Sequence, residues 1–275
     1  MYLEHKFISQ DGNSLSYWQD KDSDKPLLLL VHGALANAQV WQPWLEYLTV
    51  HYSPIAITLS HFIPSSNQGE FGLQSHANQL HDLLNELNCQ QPVEAIAWSY
   101  GADVALLAAL DKPGAFKQLY LYEPGYFGCL PKEQFSLALS DATQMFGPVF
   151  PLLEEVDMLH AIEALIDASG GSLGYFSRQT KAVQEAQLQQ AASLLEQLKQ
   201  TQQPDMSTKR LAQCPVPIAL VQGEKTTGLF QKVGRYMASS LANGQLLIVE
   251  SANHMLPIES PKTAAKHALA YLLKS

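Results

Sequence analysis

A serine stands where the sequence predicts that a strand turns sharply into a helix. Residues 95–102 read as a strand, a tight turn and the beginning of a helix, with Ser99 at the turn. Ala97 and Gly101, two positions before and after it, are small enough for the strand and helix to approach closely. Such a turn raises the hydroxyl above the sheet, and the N–H groups opening the helix face an anion bound there. Ser99 is a candidate nucleophile; the alternative is a serine that only caps the helix.

Two further segments carry groups that could act with this serine. His32 and Gly33 directly follow an apolar strand. The glycine lets the backbone turn so that the N–H of Ala34 faces the same site as the N–H of Tyr100, and two such donors form an oxyanion hole. His254 lies in the loop after the last predicted strand. A nucleophile first and a histidine last, both at the carboxyl ends of parallel strands, is the chain order that this kind of triad needs.

The hydrophobic pattern predicts the scaffold that positions these residues. Short apolar runs typical of buried strands alternate with amphipathic helical segments up to residue 124 and again after residue 205. The runs 6–9 and 15–18, joined by a turn sequence, indicate a hairpin at the sheet edge. This alternation predicts an α/β fold with a doubly wound, mostly parallel sheet. Residues 1–124 and 205–275 form the predicted core, and residues 125–204, which contain helical segments such as 161–168 and 182–199, form a helical cap inserted into it.

In this order the motifs resemble those of the α/β-hydrolase superfamily over essentially the whole chain. They are His32-Gly33, Ala97-x-Ser99-x-Gly101, Tyr122-Glu123-Pro124, Pro215-Val216-Pro217 with Gly223-Glu224 after the next strand, and His254 with Glu259 and Pro261. The resemblance implies an eight-stranded core with a helical cap after strand six. It also implies Ser99 as nucleophile and His254 as general base. The backbone N–H groups of Ala34 and Tyr100 are the implied oxyanion donors.

The acid of the triad departs from the superfamily pattern. Where relatives usually read Gly-Glu-x-Asp after strand seven, this chain reads Gly-Glu-Lys-Thr, so that Thr226 replaces the aspartate that orients the histidine. Glu123 at the end of strand six is a replacement, because some branches of the superfamily carry their acid there. Glu224 and a bare Ser–His pair are the alternatives.

These residues predict a serine hydrolase that cleaves a carboxylic ester or related acyl compound through an acyl-enzyme. Serine at the strand-to-helix turn, called the nucleophile elbow in this superfamily, argues against the dehalogenase and epoxide-hydrolase branches, which use aspartate there. Thioesterase, C–C hydrolase and acyltransferase chemistry stay open, since they share the same apparatus. The alternative function is a non-catalytic ligand-binding protein on the same fold, suggested by the missing aspartate at position 226.

The amino-acid composition limits the kinds of molecule that this protein is expected to bind. The 275 residues include 17 Lys plus Arg against 26 Asp plus Glu, a net charge of −9 that disfavours nucleic acid and anionic lipid surfaces. No apolar stretch approaches the ~20 residues of a membrane helix, and the sequence shows no secretory signal. Three widely spaced cysteines fit neither a disulfide scaffold nor a zinc ribbon. We therefore expect a cytoplasmic protein with a small apolar acyl or ester substrate and no cofactor or metal ion.

Overall fold

The computed structural model describes residues 2–20 and 24–274. These residues contain an eight-stranded sheet, whose strands are β1 (Tyr2–Ile8), β2 (Ser14–Asp20), β3 (Leu27–Val31), β4 (Ser53–Thr58), β5 (Val93–Trp98), β6 (Phe116–Tyr122), β7 (Ile218–Gly223) and β8 (Gly244–Val249). The strand order is β1-β2-β4-β3-β5-β6-β7-β8. Pairs β1–β2 and β2–β4 are antiparallel, and the other five are parallel. The predicted eight-stranded, mostly parallel sheet is confirmed.

Helices follow the strands of the core. They are α1 (Leu45–Leu48), α2 (Leu73–Glu86), α3 (Tyr100–Asp111), α10 (Thr208–Ala212), α11 (Gly228–Ser240), α12 (Leu256–Glu259) and α13 (Pro261–Leu272). The interval 125–204 holds α4 (Lys132–Phe146), α5 (Val149–Glu154), α6 (Met158–Gly170), α7 (Tyr175–Arg178), α8 (Lys181–Gln189) and α9 (Ala191–Lys199). Short 3-10 helices lie at Ala38–Trp44, Pro113–Ala115 and Phe127–Cys129. Across the described ranges, no helix combines the length and apolar character needed to cross a bilayer.

Three element boundaries differ from the sequence prediction. The edge hairpin is longer than predicted, because an edge strand can present polar residues to solvent and so lacks a clear apolar pattern at its ends. Apolar residues recur at helical spacing over residues 40–48 and predict a helix there, but this segment begins as a 3-10 helix that contains Pro43. The predicted helix at 182–199 is two helices that meet at Gln190. The Gln190 amide accepts from the Ile63 N–H at 2.8 Å and donates to the Ile63 carbonyl at 3.0 Å, which joins the 125–204 interval to the loop after β4.

Both faces of the sheet are covered by apolar layers. Alternate side chains of β3 belong to different layers: Leu29 and Val31 pack in the layer that includes α2 and α3, whereas Leu28 and Leu30 pack in the layer that includes α13. Because successive side chains of a strand point to opposite faces, a strand buried on both sides must be apolar throughout. This burial explains the continuous apolar run at Leu27–Val31.

The carboxyl ends of the parallel strands meet at one edge of the sheet, and the candidate residues follow these ends. Ala34 comes after β3, Ser99 after β5, Glu123 after β6, Thr226 after β7 and His254 after β8. Strands β5 to β8 are consecutive neighbours in the sheet. The topology therefore places side chains that are far apart in sequence beside one another.

Candidate active site

Ser99 occupies a sharp turn between β5 and α3. Its φ of 55° and ψ of −124° are unusual for a residue with a side chain, and such strain is typical of functional turns. Gly101 permits the turn, because a Cβ on this residue would lie 2.2 Å from the carbonyl oxygen of His32. Ala97 is fully buried, so a methyl group is accommodated where the superfamily usually has glycine. The Ser99 hydroxyl makes no capping bond to α3, so the structure does not support the helix-cap alternative.

The His254 ring lies between Ser99 and a carboxylate. Its Nε2 is 3.0 Å from Ser99 Oγ, and its Nδ1 is 2.7 Å from Glu123 Oε2. The Phe230 ring stacks on the imidazole at a centroid distance of 3.9 Å, with 11° between the planes. The Trp98 indole N–H donates to the His254 carbonyl at 3.0 Å. Packing and hydrogen bonds thus fix both the backbone and the ring of this histidine.

Glu123 is buried to 1% exposure and its carboxylate is held by three donors. Oε1 accepts from the Gly223 N–H at 2.7 Å, and Oε2 accepts from the Thr226 hydroxyl at 2.7 Å as well as from His254. A proton on Nδ1 of the histidine satisfies this carboxylate oxygen and leaves Nε2 to accept from the serine hydroxyl. The Glu123 backbone has a φ of +50°, a rare conformation that directs the side chain towards β7.

The other predicted acid lies elsewhere. Glu224 is exposed, and its Oε2 accepts from the Ser251 N–H at 2.8 Å. The structure therefore brings Glu123, and not Glu224, to His254. Thr226 has a role that the sequence reasoning missed: it donates to the replacement carboxylate. The signal was a hydroxyl residue at the usual acid position, in the loop after the strand that neighbours the candidate acid.

The predicted oxyanion donors lie at the same place. Ala34 and Tyr100 line a cavity together with Ser99. The loop carrying Ala34 packs closely on the elbow, since a Cβ on Gly33 would lie 3.1 Å from Ser99 Cβ. Within residues 2–20 and 24–274, neither the Ala34 N–H nor the Tyr100 N–H has a hydrogen-bond acceptor. Both groups are therefore free to bind an oxyanion.

Two buried histidines support this loop and the elbow. His32 Nδ1 donates to the Gly33 carbonyl at 2.8 Å, and its Nε2 accepts from the Leu59 N–H at 3.2 Å. His76 Nδ1 is 2.7 Å from the Tyr100 hydroxyl. Burial lowers the pKa of His32 to about 4 and the pKa of His76 to about 3. Both rings are therefore neutral near pH 7 and act as hydrogen-bonding supports rather than as charges.

Asp103 is a second residue that the sequence reasoning did not single out. It lies one helical turn after Ser99 and accepts from the N–H groups of Gly125 and Tyr126 at 2.9 and 3.1 Å. These are the first residues of the interval predicted as the cap. Burial raises the pKa of the Asp103 carboxyl to about 7. Its side chain joins the elbow helix to the start of that interval and also lines the cavity.

The cavity above Ser99 has a volume of about 650 Å³, within the range of small-molecule sites. Most of its wall is apolar and comes from the 125–204 interval, including Phe135, Met145, Phe146, Leu165 and Leu194. Among the described residues that line it, none is lysine or arginine. The described part of the chain also holds no group of three or more His, Cys, Asp or Glu side chains arranged to bind a metal ion.

A strand-to-helix elbow, a hydrogen-bonded Ser–His–carboxylate chain and two free N–H groups at one edge of a parallel sheet define the α/β-hydrolase class of protein. The sequence model of the α/β-hydrolase fold family matches residues 26–261. The chain belongs to this family, as its motifs predicted.

The individual proteins that resemble this chain share a quarter or less of its residues in the aligned regions. The chain is 25% identical over 248 residues to the pimeloyl-[acyl-carrier protein] methyl ester esterase of Aliivibrio fischeri strain MJ11, covering 86% of this chain and 90% of that protein. Among solved structures, it is similar to the carboxylesterase CesB of Bacillus subtilis, with a TM-score of 0.78, 17% identity and coverage of 100% and 93% of the two chains. A putative lipase from Acinetobacter baumannii AYE matches with a TM-score of 0.76 and 21% identity, covering 99% and 91%. These two likenesses establish the fold.

Proposed function

We propose that this protein is a serine hydrolase that cleaves a carboxylic ester through an acyl-enzyme intermediate. The observation that carries the proposal is the continuous hydrogen-bonded chain from Ser99 through His254 to Glu123 below an apolar cavity. His254 Nε2 takes the hydroxyl proton while Ser99 Oγ attacks the substrate carbonyl. Glu123 stabilises the imidazolium that forms, and the N–H groups of Ala34 and Tyr100 hold the developing oxyanion.

The second half of the reaction uses the same groups. The imidazolium gives its proton to the departing alcohol, which leaves the acyl group on Ser99. His254 then removes a proton from a water molecule as this water attacks the acyl-enzyme carbonyl. Collapse of the second tetrahedral intermediate releases the acid and returns the proton to the serine. The direct bond from Glu123 to Nδ1 keeps Nε2 facing the reacting atoms in both halves.

The family and the esterase names of the relatives agree with the prediction of a carboxylesterase-like hydrolase. The substrate of the Aliivibrio fischeri relative is carried on a protein. In this chain, the cavity above Ser99 has a volume of about 650 Å³ and a mostly apolar wall, as is typical of small-molecule sites. We therefore propose a small, largely apolar ester as the substrate.

The binding-protein alternative loses its main argument. It was motivated by the threonine at position 226, which left the histidine without its usual acid. Glu123 now supplies a buried carboxylate 2.7 Å from His254 Nδ1. A protein that only binds ligands has no need for the hydrogen-bonded series Ser99–His254–Glu123, for the strained turn at Ser99 or for the two unpaired N–H groups.

Labelling with a fluorophosphonate probe tests the proposal directly. We expect one probe per chain, attached at Ser99, because Ser99 Oγ is hydrogen-bonded to the candidate base. Peptide mapping by mass spectrometry locates the label. Ser99→Ala should abolish it, whereas Ser136→Ala, a change at an exposed serine of α4, should leave it intact. Folded protein that remains unlabelled, or is labelled with full stoichiometry at another residue, would favour the binding-protein alternative.

Ester charge should affect turnover strongly. The apolar wall and the lack of lysine and arginine among the described cavity residues predict that uncharged acyl chains bind and carboxylate-bearing chains do not. We expect kcat/KM for p-nitrophenyl esters of neutral straight-chain acids to exceed that for the matched hemiesters of dicarboxylic acids by at least ~10-fold. A factor of this size corresponds to a cost of about 1.4 kcal/mol for burying the extra carboxylate. A preference for the anionic series would contradict the assignment of an apolar substrate.

A further inference from the structure

One stretch of the 125–204 interval contributes a cluster of glutamines to the cavity wall. The stretch from α8 to the residues after α9 contributes six lining residues, of which two are leucines and four are glutamines, namely Gln187, Leu194, Gln197, Leu198, Gln200 and Gln203. Three other glutamines of this stretch have structural partners, and one of them, Gln184, donates to the Phe176 carbonyl at 3.0 Å. Gln190 binds the backbone of Ile63, and Gln202 accepts from the N–H of Gln74 at 2.8 Å at the start of α2. Within the part of the chain that the structure describes, the buried Oε1 atoms of three cavity glutamines have no such partner.

Gln187 is the most buried of these glutamines. Its side chain is 3% exposed, and its Oε1 has no hydrogen-bond donor among the described residues. The Oε1 atoms of Gln197 and Gln200 are buried and unpaired in the same way within these ranges. A buried amide without a partner is unfavourable unless another molecule supplies one. Several such amides at one cavity wall therefore indicate that a bound ligand supplies their missing hydrogen bonds.

The surroundings define the chemistry of this ligand group. None of the described lining residues is a cation that could neutralise a carboxylate. An ammonium group also lacks a partner, since the Asp103 carboxyl already accepts two backbone hydrogen bonds and its raised pKa of about 7 weakens its charge. An amide side chain both donates and accepts, so its complement is a neutral group that does the same: a hydroxyl or a carboxamide.

We propose that the acyl chain of the substrate ends, away from the ester carbonyl, in a hydroxyl or carboxamide group bound by Gln187 with Gln197. This inference rests on the proposed ester hydrolysis at Ser99 and specifies its substrate. Leucine and aromatic side chains of the cavity contact the methylene chain, and the glutamines contact its polar end. A site that hydrogen-bonds a substrate group rejects the analogue without that group, because its own polar atoms are then left unpaired.

Binding to the Ser99→Ala protein tests this inference without relying on turnover. Dissociation constants are measured by calorimetry for methyl esters of straight-chain acids with six, eight and ten carbons, each ending in methyl, hydroxyl, carboxamide or carboxylate. At the best-fitting length, we expect the hydroxyl- and carboxamide-ended esters to bind about tenfold tighter than the methyl-ended ester, as one good hydrogen bond provides. The carboxylate-ended esters should bind weakest.

Variants assign the effect to the glutamines. In the Ser99→Ala background, Gln187→Leu should remove the preference for polar-ended esters. Gln189→Leu is the matched control on the same helix, because Gln189 is exposed and does not line the cavity, and it should keep the preference. If Gln187→Leu fails to fold, Gln197→Leu is the substitute, since its side chain is only partly buried.

Two results would overturn the inference. The first is equal affinity for methyl-ended and polar-ended esters at every length, and the second is a preference that survives in Gln187→Leu or, where that variant does not fold, in Gln197→Leu. Hydrolysis by the unsubstituted protein is measured separately on the same esters. Absent hydrolysis with retained polar-end binding would refute the proposed function but leave the ligand chemistry supported. Hydrolysis without end-group preference would refute only the ligand chemistry.

Discussion

Replacing Ser99 with alanine should lower kcat for ester hydrolysis by ~10⁶-fold, the loss measured when the nucleophile of a serine triad is removed. The reason lies in the geometry: Ser99 Oγ is the group 3.0 Å from His254 Nε2, at the floor of the cavity. Without it no acyl-enzyme forms, and only direct attack by water assisted by the oxyanion donors remains. Burst-phase kinetics with a p-nitrophenyl ester measure this directly, and the burst of p-nitrophenol should disappear.

The interpretation of this variant requires that it stays folded. The Ser99 hydroxyl does not cap α3, so its removal should leave the melting temperature close to that of the parent. Because alanine at a φ of 55° keeps the backbone strain, Ser99→Gly is a second variant that relieves it and should be equally inactive. Ester hydrolysis that continues within about tenfold of the parent rate in both variants would exclude Ser99 as the nucleophile.

The positions of Ser99 and His254 could be predicted from sequence because each depends on a local pattern. A strand buried on both faces must be apolar along its length, and β5 is such a strand. Close packing requires the small residues around the elbow, because a Cβ added to Gly101 would lie only 2.2 Å from the His32 carbonyl oxygen. A histidine after the last strand follows from the same topology. Local constraints of this kind restrict which residue types can occur at each position, so they can be recognised in the sequence.

The acid could not be decided from sequence because it depends on contacts between strands. Glu123 reaches His254 through its backbone φ of +50° and the adjacency of β6 and β7. Neither feature changes the hydrophobic pattern. The cavity glutamines were also missed, since a glutamine that faces a cavity and one that faces solvent look alike in sequence. The structure separates them by burial and by the lack of hydrogen-bond partners.

Replacing Glu123 with glutamine should lower kcat by ~10⁴-fold, the effect of losing the acid from a serine triad, which corresponds to about 5 kcal/mol of transition-state stabilisation. The amide cannot stabilise the imidazolium, and its NH₂ group competes as a donor at Nδ1 of His254, which favours the wrong tautomer. KM should change little, because Glu123 is buried beneath the histidine and lies outside the residues that line the cavity. Steady-state kinetics on one neutral ester measure both parameters.

A matched carboxylate is available as the control. Glu224 lies in the loop after β7 but is exposed and bonded to the Ser251 backbone, so Glu224→Gln should leave kcat near the parent value. If Glu123→Gln instead retains near-parent turnover, Glu123 is a structural residue and a bare Ser–His pair carries the reaction. A fall in both variants would return Glu224 to consideration.

A second substitution, in the loop after the neighbouring strand β7, can return the lost charge. Thr226 Oγ1 and His254 Nδ1 both lie 2.7 Å from the same oxygen of Glu123, so we expect the longer aspartate side chain at position 226 to approach the Nδ1 proton once residue 123 is neutral. Thr226→Asp in the Glu123→Gln background should therefore recover part of the ~10⁴-fold loss expected for a missing triad acid. In the parent background the same change sets two carboxylates side by side, and their repulsion should lower stability and activity. Recovery in one background with loss in the other would show that positions 123 and 226 serve the same ring nitrogen, whereas loss in both would confine the acid to Glu123.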